Sequence, residues 1–202
     1  MNSIVRTYQK SNVITFSKTD GKFGALSNMA PDFNLFINEL NIQSTEILYQ
    51  ICRFPLFPGI QEEITNPMYA KQVSRKYIKI SRQDWDWVKF KIMRWCLEVK
   101  LIQNFDKFSG VLLSTNNKMI VEFSKYDDVW GAKLQADRRT LIGRNALGRL
   151  LMELREKVKT DEITKNSIIA PPNIPAFLLF GNQIKIIRNS EYYIQDLDDI
   201  YI

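Results

Sequence analysis

A chain of 202 residues with 45% hydrophobic and 25% charged residues is long enough to bury one sizeable core, and its composition is that of an ordinary globular protein. The formal net charge of +6 permits a polyanionic partner such as nucleic acid without requiring one. Histidine is absent, which excludes an imidazole base, every Ser-His-Asp or Cys-His arrangement and the commonest zinc ligand.

Along the chain, "MNSIVRTYQKSN" lacks the apolar core and cleavage site of a signal peptide. "NVITFS" (Asn12 to Ser17) has the composition of a strand, and "KTDGKFGALSN" is a glycine-punctuated loop. "FNLFINELNIQ" alternates as a second strand or hairpin arm. Thr45 supplies a hydroxyl at the start of a helix that Pro55 and Pro58 bring to an end. On that helix Glu46, Tyr49, Gln50 and Arg53 share one side, either as a solvated stripe or as the working face of a site.

Asn66 to Lys76 reads as a short helix with Pro67 in its first turn. Asp84 to about Lys107 follows with Trp85, Val88, Ile92, Trp95, Val99 and Ile102 at steps of three and four, an amphipathic helix. Cys52 and Cys96 both fall in apolar helical patterns, as buried thiols in a reducing compartment do. "DKFSGVLLST" is a brief helix and turn, and "MIVEFS" (Met119 to Ser124) a strand. The polar loop "KYDDVWGAKLQADRRTLIGRN" leads to a last helix with Leu147, Leu150, Leu151, Leu154 and Val158 as its buried stripe and Asn145 as its cap. Beyond Lys165 the chain turns proline-broken: "QIKIIR" suits an edge strand and "EYYIQDLDDIYI" is acidic and aromatic. The reading is a main domain over about 12–162 and a C-terminal arm over 163–202. No stretch is apolar enough to span a membrane, so a cytoplasmic protein is expected.

Without histidine, chemistry has to run on carboxylates, tyrosine, lysine, arginine or bound water. Cleavage of a glycosidic bond is one reaction that suits this inventory. Glu46 and Asp127 are candidate carboxylates for it, although spacing in sequence does not show that they meet. "YDDVWG" (Tyr126 to Gly131) follows a strand and offers acids, an indole and a glycine, as a ligand loop does. The same residues also suit a turn with a core tryptophan. "GKFGALSN" and "GRNALG" lack both the dinucleotide fingerprint and the P-loop pattern. They either offer backbone donors to an anion or only make turns.

Taken in order, "FGALSNM", "STEILYQICRF", "MIVEFSKYDDVWG" and "GRNALGRLLMELRE" resemble the NADAR/YbiA-like family over roughly Asn12 to Val158. The resemblance implies a compact, predominantly helical α+β domain with a small sheet and a polar cleft. It implies an N-glycosidase acting on a ribosylated base: a phosphoribosylamino-pyrimidine, or ADP-ribosylated guanine in nucleic acid. The family's catalytic glutamate matches Glu46 and its following glutamine Gln50. The acid, tryptophan and glycine of its "D-x-x-W-G" segment match Asp127, Trp130 and Gly131. Asn145 matches the asparagine of "G-x-N-x-L-G", and Asn28, after Ser27, that of the N-terminal segment.

The expected catalytic residues are therefore Glu46 and Asp127. Ser27, Asn28, Tyr49, Gln50, Arg53, Trp130, Gly131 and Asn145 are expected at the substrate, with no metal and no cofactor. Where the family has a lysine proposed to attack the sugar, this chain has Arg53, which is not an amine nucleophile at neutral pH. Three readings follow: Glu46 directs a water, or Lys22 or Lys133 supplies the amine, or the chain binds ADP-ribose or a related nucleotide without turning it over. In the first, Asp127 orients the ribose or the water, Trp130 stacks on a ring and Arg53 clamps phosphate. The arm is expected to serve a protein partner.

Overall fold

The computed structural model describes residues 4–189. Among them the chain forms nine short strands and six α-helices, an α+β fold, and divides into two compact units. One comprises residues up to Ala30 together with Lys107–Glu162, the other Pro31–Asp106 together with the segment from Ile163 onward.

In the first unit, β1 (Arg6–Gln9) and β6 (Lys133–Leu134) flank β7 (Thr140–Gly143) in an antiparallel sheet, while β2 (Val13–Phe16) pairs in parallel with β5 (Met119–Glu122). Tyr8, Val121, Ala132 and Leu141 form a buried cluster in this unit, with Val13 and Leu134 packed on it. Strands β1, β6 and β7 lie in stretches whose sequence suggests only a terminus and a loop. They are too short for alternation to register, and each is defined by its partner across the ladder rather than by its own pattern.

α5 (Phe105–Ser114) precedes β5, and α6 (Ala146–Lys159) follows β7. α6 buries the predicted stripe Leu147, Leu150, Leu151, Leu154 and Val158 and packs on β5. Asn145 occupies the residue before this helix, with φ +48°, but makes no capping bond. Instead its Oδ1 accepts from Glu122 N at 3.0 Å and its Nδ2 donates to Ile120 O at 2.8 Å. The carboxamide thus bonds along β5 as a neighbouring strand would. Gly148, one turn into α6, leaves room for it, since a Cβ there would collide with the Ile120 carbonyl oxygen.

In the second unit, β3 (Leu35–Ile37) and β4 (Leu40–Ile42) form the expected hairpin, turned by Asn38 and Glu39 at φ +49° and +67°. α1 (Thr45–Ile51) is capped one residue earlier than expected: Ser44, not Thr45, accepts from Ile47 N at 3.2 Å. Pro58 does not simply end the preceding structure but opens α2 (Pro58–Glu63), using the first-turn position where its missing N–H costs nothing. α3 spans Ala70–Lys76, shorter than predicted, with Asn66 Oδ1 accepting from Met68 N in the turn before it.

α4 (Trp85–Gln103) is buried nearly all round in its C-terminal half, so only its first turns keep a solvated side. Gln103 ends it by bonding both N and O of Phe36 on β3, at 2.7 and 2.6 Å. The segment read as an arm is part of this unit up to residue 189. Gln61 donates to Leu178 O and accepts from Phe180 N, and Phe177 meets Trp95 edge to face at 5.1 Å. Its strands are β8 (Leu178–Leu179) and β9 (Asn182–Gln183), so "QIKIIR" contributes only one strand residue, and Ile187 adds a single bridge to Ile169. "EYYIQDLDDIYI" lies outside the described residues.

Candidate functional site

α1 carries Glu46, Tyr49 and Gln50 of the four residues that the sequence placed on one face; the helix ends at Ile51, so Arg53 lies in the turn that follows rather than on the helix. That face is not the solvated stripe of the simpler reading: Tyr49 and Gln50 are 4% and 5% exposed, and Glu46 and Arg53 are half-buried. Gln50 Nε2 donates to Glu46 Oε1 at 2.8 Å. An ionised carboxylate only accepts, so this bond fixes which end of the Gln50 amide faces Glu46. The other end, Oε1, is buried and has no hydrogen-bond partner among the described residues. A buried acceptor in that state costs about 1–3 kcal/mol until a donor reaches it.

Arg53 lies one turn beyond Gln50. Its Nε donates to Ser81 Oγ at 2.7 Å, and its guanidinium carbon sits 5.0 Å from the centre of the Trp85 ring. Trp85 in turn packs against Tyr49, with ring centres 5.1 Å apart and a 45° tilt. Partial burial pulls the Arg53 pKa below its ordinary value, while Tyr49 and Asp86 act in the other direction. No acid pairs with Arg53 among the described residues: Asp86, the charge beside it, is bonded to Lys89 at 2.6 Å. Ser81 and Trp85 escaped the sequence reading, which assigned Trp85 to the core stripe of α4. Nothing in their spacing reveals that they bracket the side chain of Arg53, just beyond α1.

Beneath this face Cys52 and Cys96 are free and buried. Burial, then a hydrogen bond with Cys52, pushes the Cys96 thiol well above its ordinary pKa, so it stays protonated.

The remaining expected residues belong to the first unit. Asp127 Oδ1 accepts from the backbone N of Val129 and of Trp130, at 3.0 and 2.9 Å, and thereby shapes the loop that presents Trp130. Gly131 is buried with its α-carbon close against β5, where a Cβ would press on Glu122 O. Ser27 and Asn28 are 7% and 6% exposed, and Ser27 Oγ accepts from Met29 N. Asn145 is fully buried with its carboxamide on β5.

The two lysines considered as amine sources are also here. Lys133 is ion-paired with Asp128 at 2.7 Å, and the pair holds the Asp128 carboxyl below its usual range. Lys22 lies over the Phe23 ring and lines a cavity of about 320 Å³ with Thr15, Phe16, Lys18 and Phe123. Among the described residues, no group of three acids or cysteines could hold a metal, and no helix is long and apolar enough to cross a membrane.

The sequence and the fold are similar to those of known proteins. Residues 15–159 match the NADAR domain model. The chain belongs to the NADAR family. The N-glycosidase YbiA of Escherichia coli strain K12 is 30% identical over 161 residues, covering 78% of this chain and 96% of YbiA. The chloroplastic riboflavin biosynthesis protein PYRR of Zea mays is 30% identical over 165 residues, covering 74% of this chain and 26% of PYRR. The NMR structure of E. coli YbiA superposes with a TM-score of 0.62 at 29% identity, covering 77% of this chain and 89% of YbiA. This NADAR chain thus shares both family and fold with YbiA-like glycosidases.

Proposed function

We propose that the chain is an N-glycosidase that hydrolyses the bond between a ribosyl group and a base, with a phosphate on the sugar side. The substrate is either a phosphoribosylamino-pyrimidine or ADP-ribosylated guanine in nucleic acid. The observation that carries this reading is the face of α1. With the turn that follows, it sets a half-buried carboxylate, a buried acceptor without a donor and a guanidinium without an acid in succession.

In this mechanism Glu46 takes a proton from a water that adds to the anomeric carbon. The C–N bond breaks as the water adds, its electron pair leaves with the base nitrogen, and the base takes up the proton. Gln50 Nε2 holds the Glu46 carboxylate in place, and Gln50 Oε1 accepts from a sugar hydroxyl. Arg53 takes the phosphate. Asp127 is a positioning residue of its own loop, because its Oδ1 bonds two backbone amides there.

The test is release of free base, followed by mass spectrometry, from guanine-ADP-ribosylated DNA and separately from phosphoribosylamino-pyrimidine. Cleavage of one substrate, lost in Glu46→Gln, is expected. Borohydride added during the reaction leaves the protein mass unchanged, since no imine forms; an adduct on Lys22 or Lys133 contradicts the water mechanism. A second reading, nucleotide binding without turnover, is favoured by the arginine at position 53, which cannot act as the amine. It predicts binding by calorimetry with no base released from either substrate.

A further inference from the structure

The end of α1 has features that a charge-pair decoration would not need. Arg53 is held at three points. Its Nε is on Ser81 Oγ, its guanidinium lies beside Trp85, and its carbonyl oxygen accepts from Arg82 N at 3.0 Å. Ser81 is itself fixed, because its hydroxyl donates to Ile78 O at 2.7 Å and so offers its oxygen to Nε. Trp85 cannot swing away, being 9% exposed and packed on Tyr49.

All of this restrains the inner edge of the guanidinium. Its two terminal nitrogens make no hydrogen bond or ion pair among the described residues. The acid beside it, Asp86, is 83% exposed and bonded to Lys89. A half-buried cation that is braced on one edge has lost part of its hydration with no acid bonded to its other edge. An anion that accepts two parallel N–H bonds restores the balance.

We propose that Ser81, Trp85 and Arg53 form a dedicated site for a phosphate group, with Arg53 as the contact residue and Ser81 and Trp85 as positioning residues that set its terminal nitrogens toward the ligand. The proposal depends on the glycosidase reading only for the sugar to which the phosphate is attached. A lysine does not fill this role, since it has no inner N–H for Ser81 and no planar group to lie beside the indole.

The test is calorimetric binding of ribose 5-phosphate and of ribose, at low salt, to the wild type, Arg53→Gln, Arg53→Lys, Ser81→Ala and Trp85→Leu. The ratio of the two affinities isolates the phosphate. Ribose 5-phosphate is expected to bind the wild type roughly tenfold or more tightly than ribose, as a charge-assisted pair implies. Arg53→Gln should bring the ratio to about one, and Arg53→Lys should not restore it. Ser81→Ala and Trp85→Leu should lower the ratio with ribose binding retained.

A wild-type ratio near one, or no binding of ribose 5-phosphate at all, overturns the site. So does an unchanged ratio in Arg53→Gln. If Ser81→Ala weakens both ligands equally, its role is structural and the positioning claim falls. Failure of the glycosidase reading looks different: no base is released, yet the phosphate-dependent ratio persists and still requires Arg53.

Discussion

The face of α1 and the segment around Asn145 are both rich in family motif residues, yet their polar atoms have opposite fates. On α1 and the turn after it, Gln50 Oε1 and the terminal nitrogens of Arg53 are without partners among the described residues. Around Asn145, the carboxamide is bonded at both ends to β5, Gly148 makes room for it, and Asp127 Oδ1 bonds two amides of its own loop. A motif therefore mixes two kinds of residue. In the proposed mechanism some hold a polar atom out to a ligand, while others let backbones approach. Hydrogen-bond accounting separates the two where residue type alone does not.

Substitutions can break this comparison. Asn145→Ala should cost about 3 kcal/mol or more in chemical denaturation, because it leaves Glu122 N and Ile120 O buried without partners and places alanine at φ +48°. A loss of turnover at unchanged stability would instead make Asn145 a ligand residue. Gly148→Ala should follow at about 1–3 kcal/mol, since the Ile120 carbonyl cannot yield to a new Cβ and α6 has to lift from β5.

Ser44→Ala removes the α1 cap and should cost about 1 kcal/mol. Because the first turn of this helix carries Glu46, its fraying should lower turnover more than the stability loss explains. Lys133→Ala is expected to have the smallest effect, changing neither the unfolding midpoint nor turnover, since its ion pair with Asp128 is exposed. Lost activity there would revive Lys133 as the nucleophile.

Much of this was legible in the sequence, for physical reasons that differ from residue to residue. α4 and α6 show themselves through long runs of apolar spacing, and the β3–β4 hairpin through alternation around a polar turn. β1, β6 and β7 are two to four residues long and exist through cross-strand pairing, which a linear pattern does not record. Glu46, Gln50 and Arg53 could be grouped because helical geometry sets their spacing. Ser81 and Trp85 could not, since they meet Arg53 from a different element. Asn145 was placed correctly at the start of α6, but its bonds run to a strand more than twenty residues earlier. Local capping rules have no access to such a partner.

In the proposed mechanism the face of α1 does the chemistry while the Asn145 segment holds the fold. The most direct measurement is the rate of base release by wild type and Glu46→Gln on whichever of the two ribosylated substrates is cleaved, with unfolding midpoints taken in parallel. A fall in rate of about 10²–10⁴-fold is expected, the usual contribution of a general base, with little change in the midpoint. A Glu46→Gln protein that is equally stable and cleaves at the wild-type rate would contradict it.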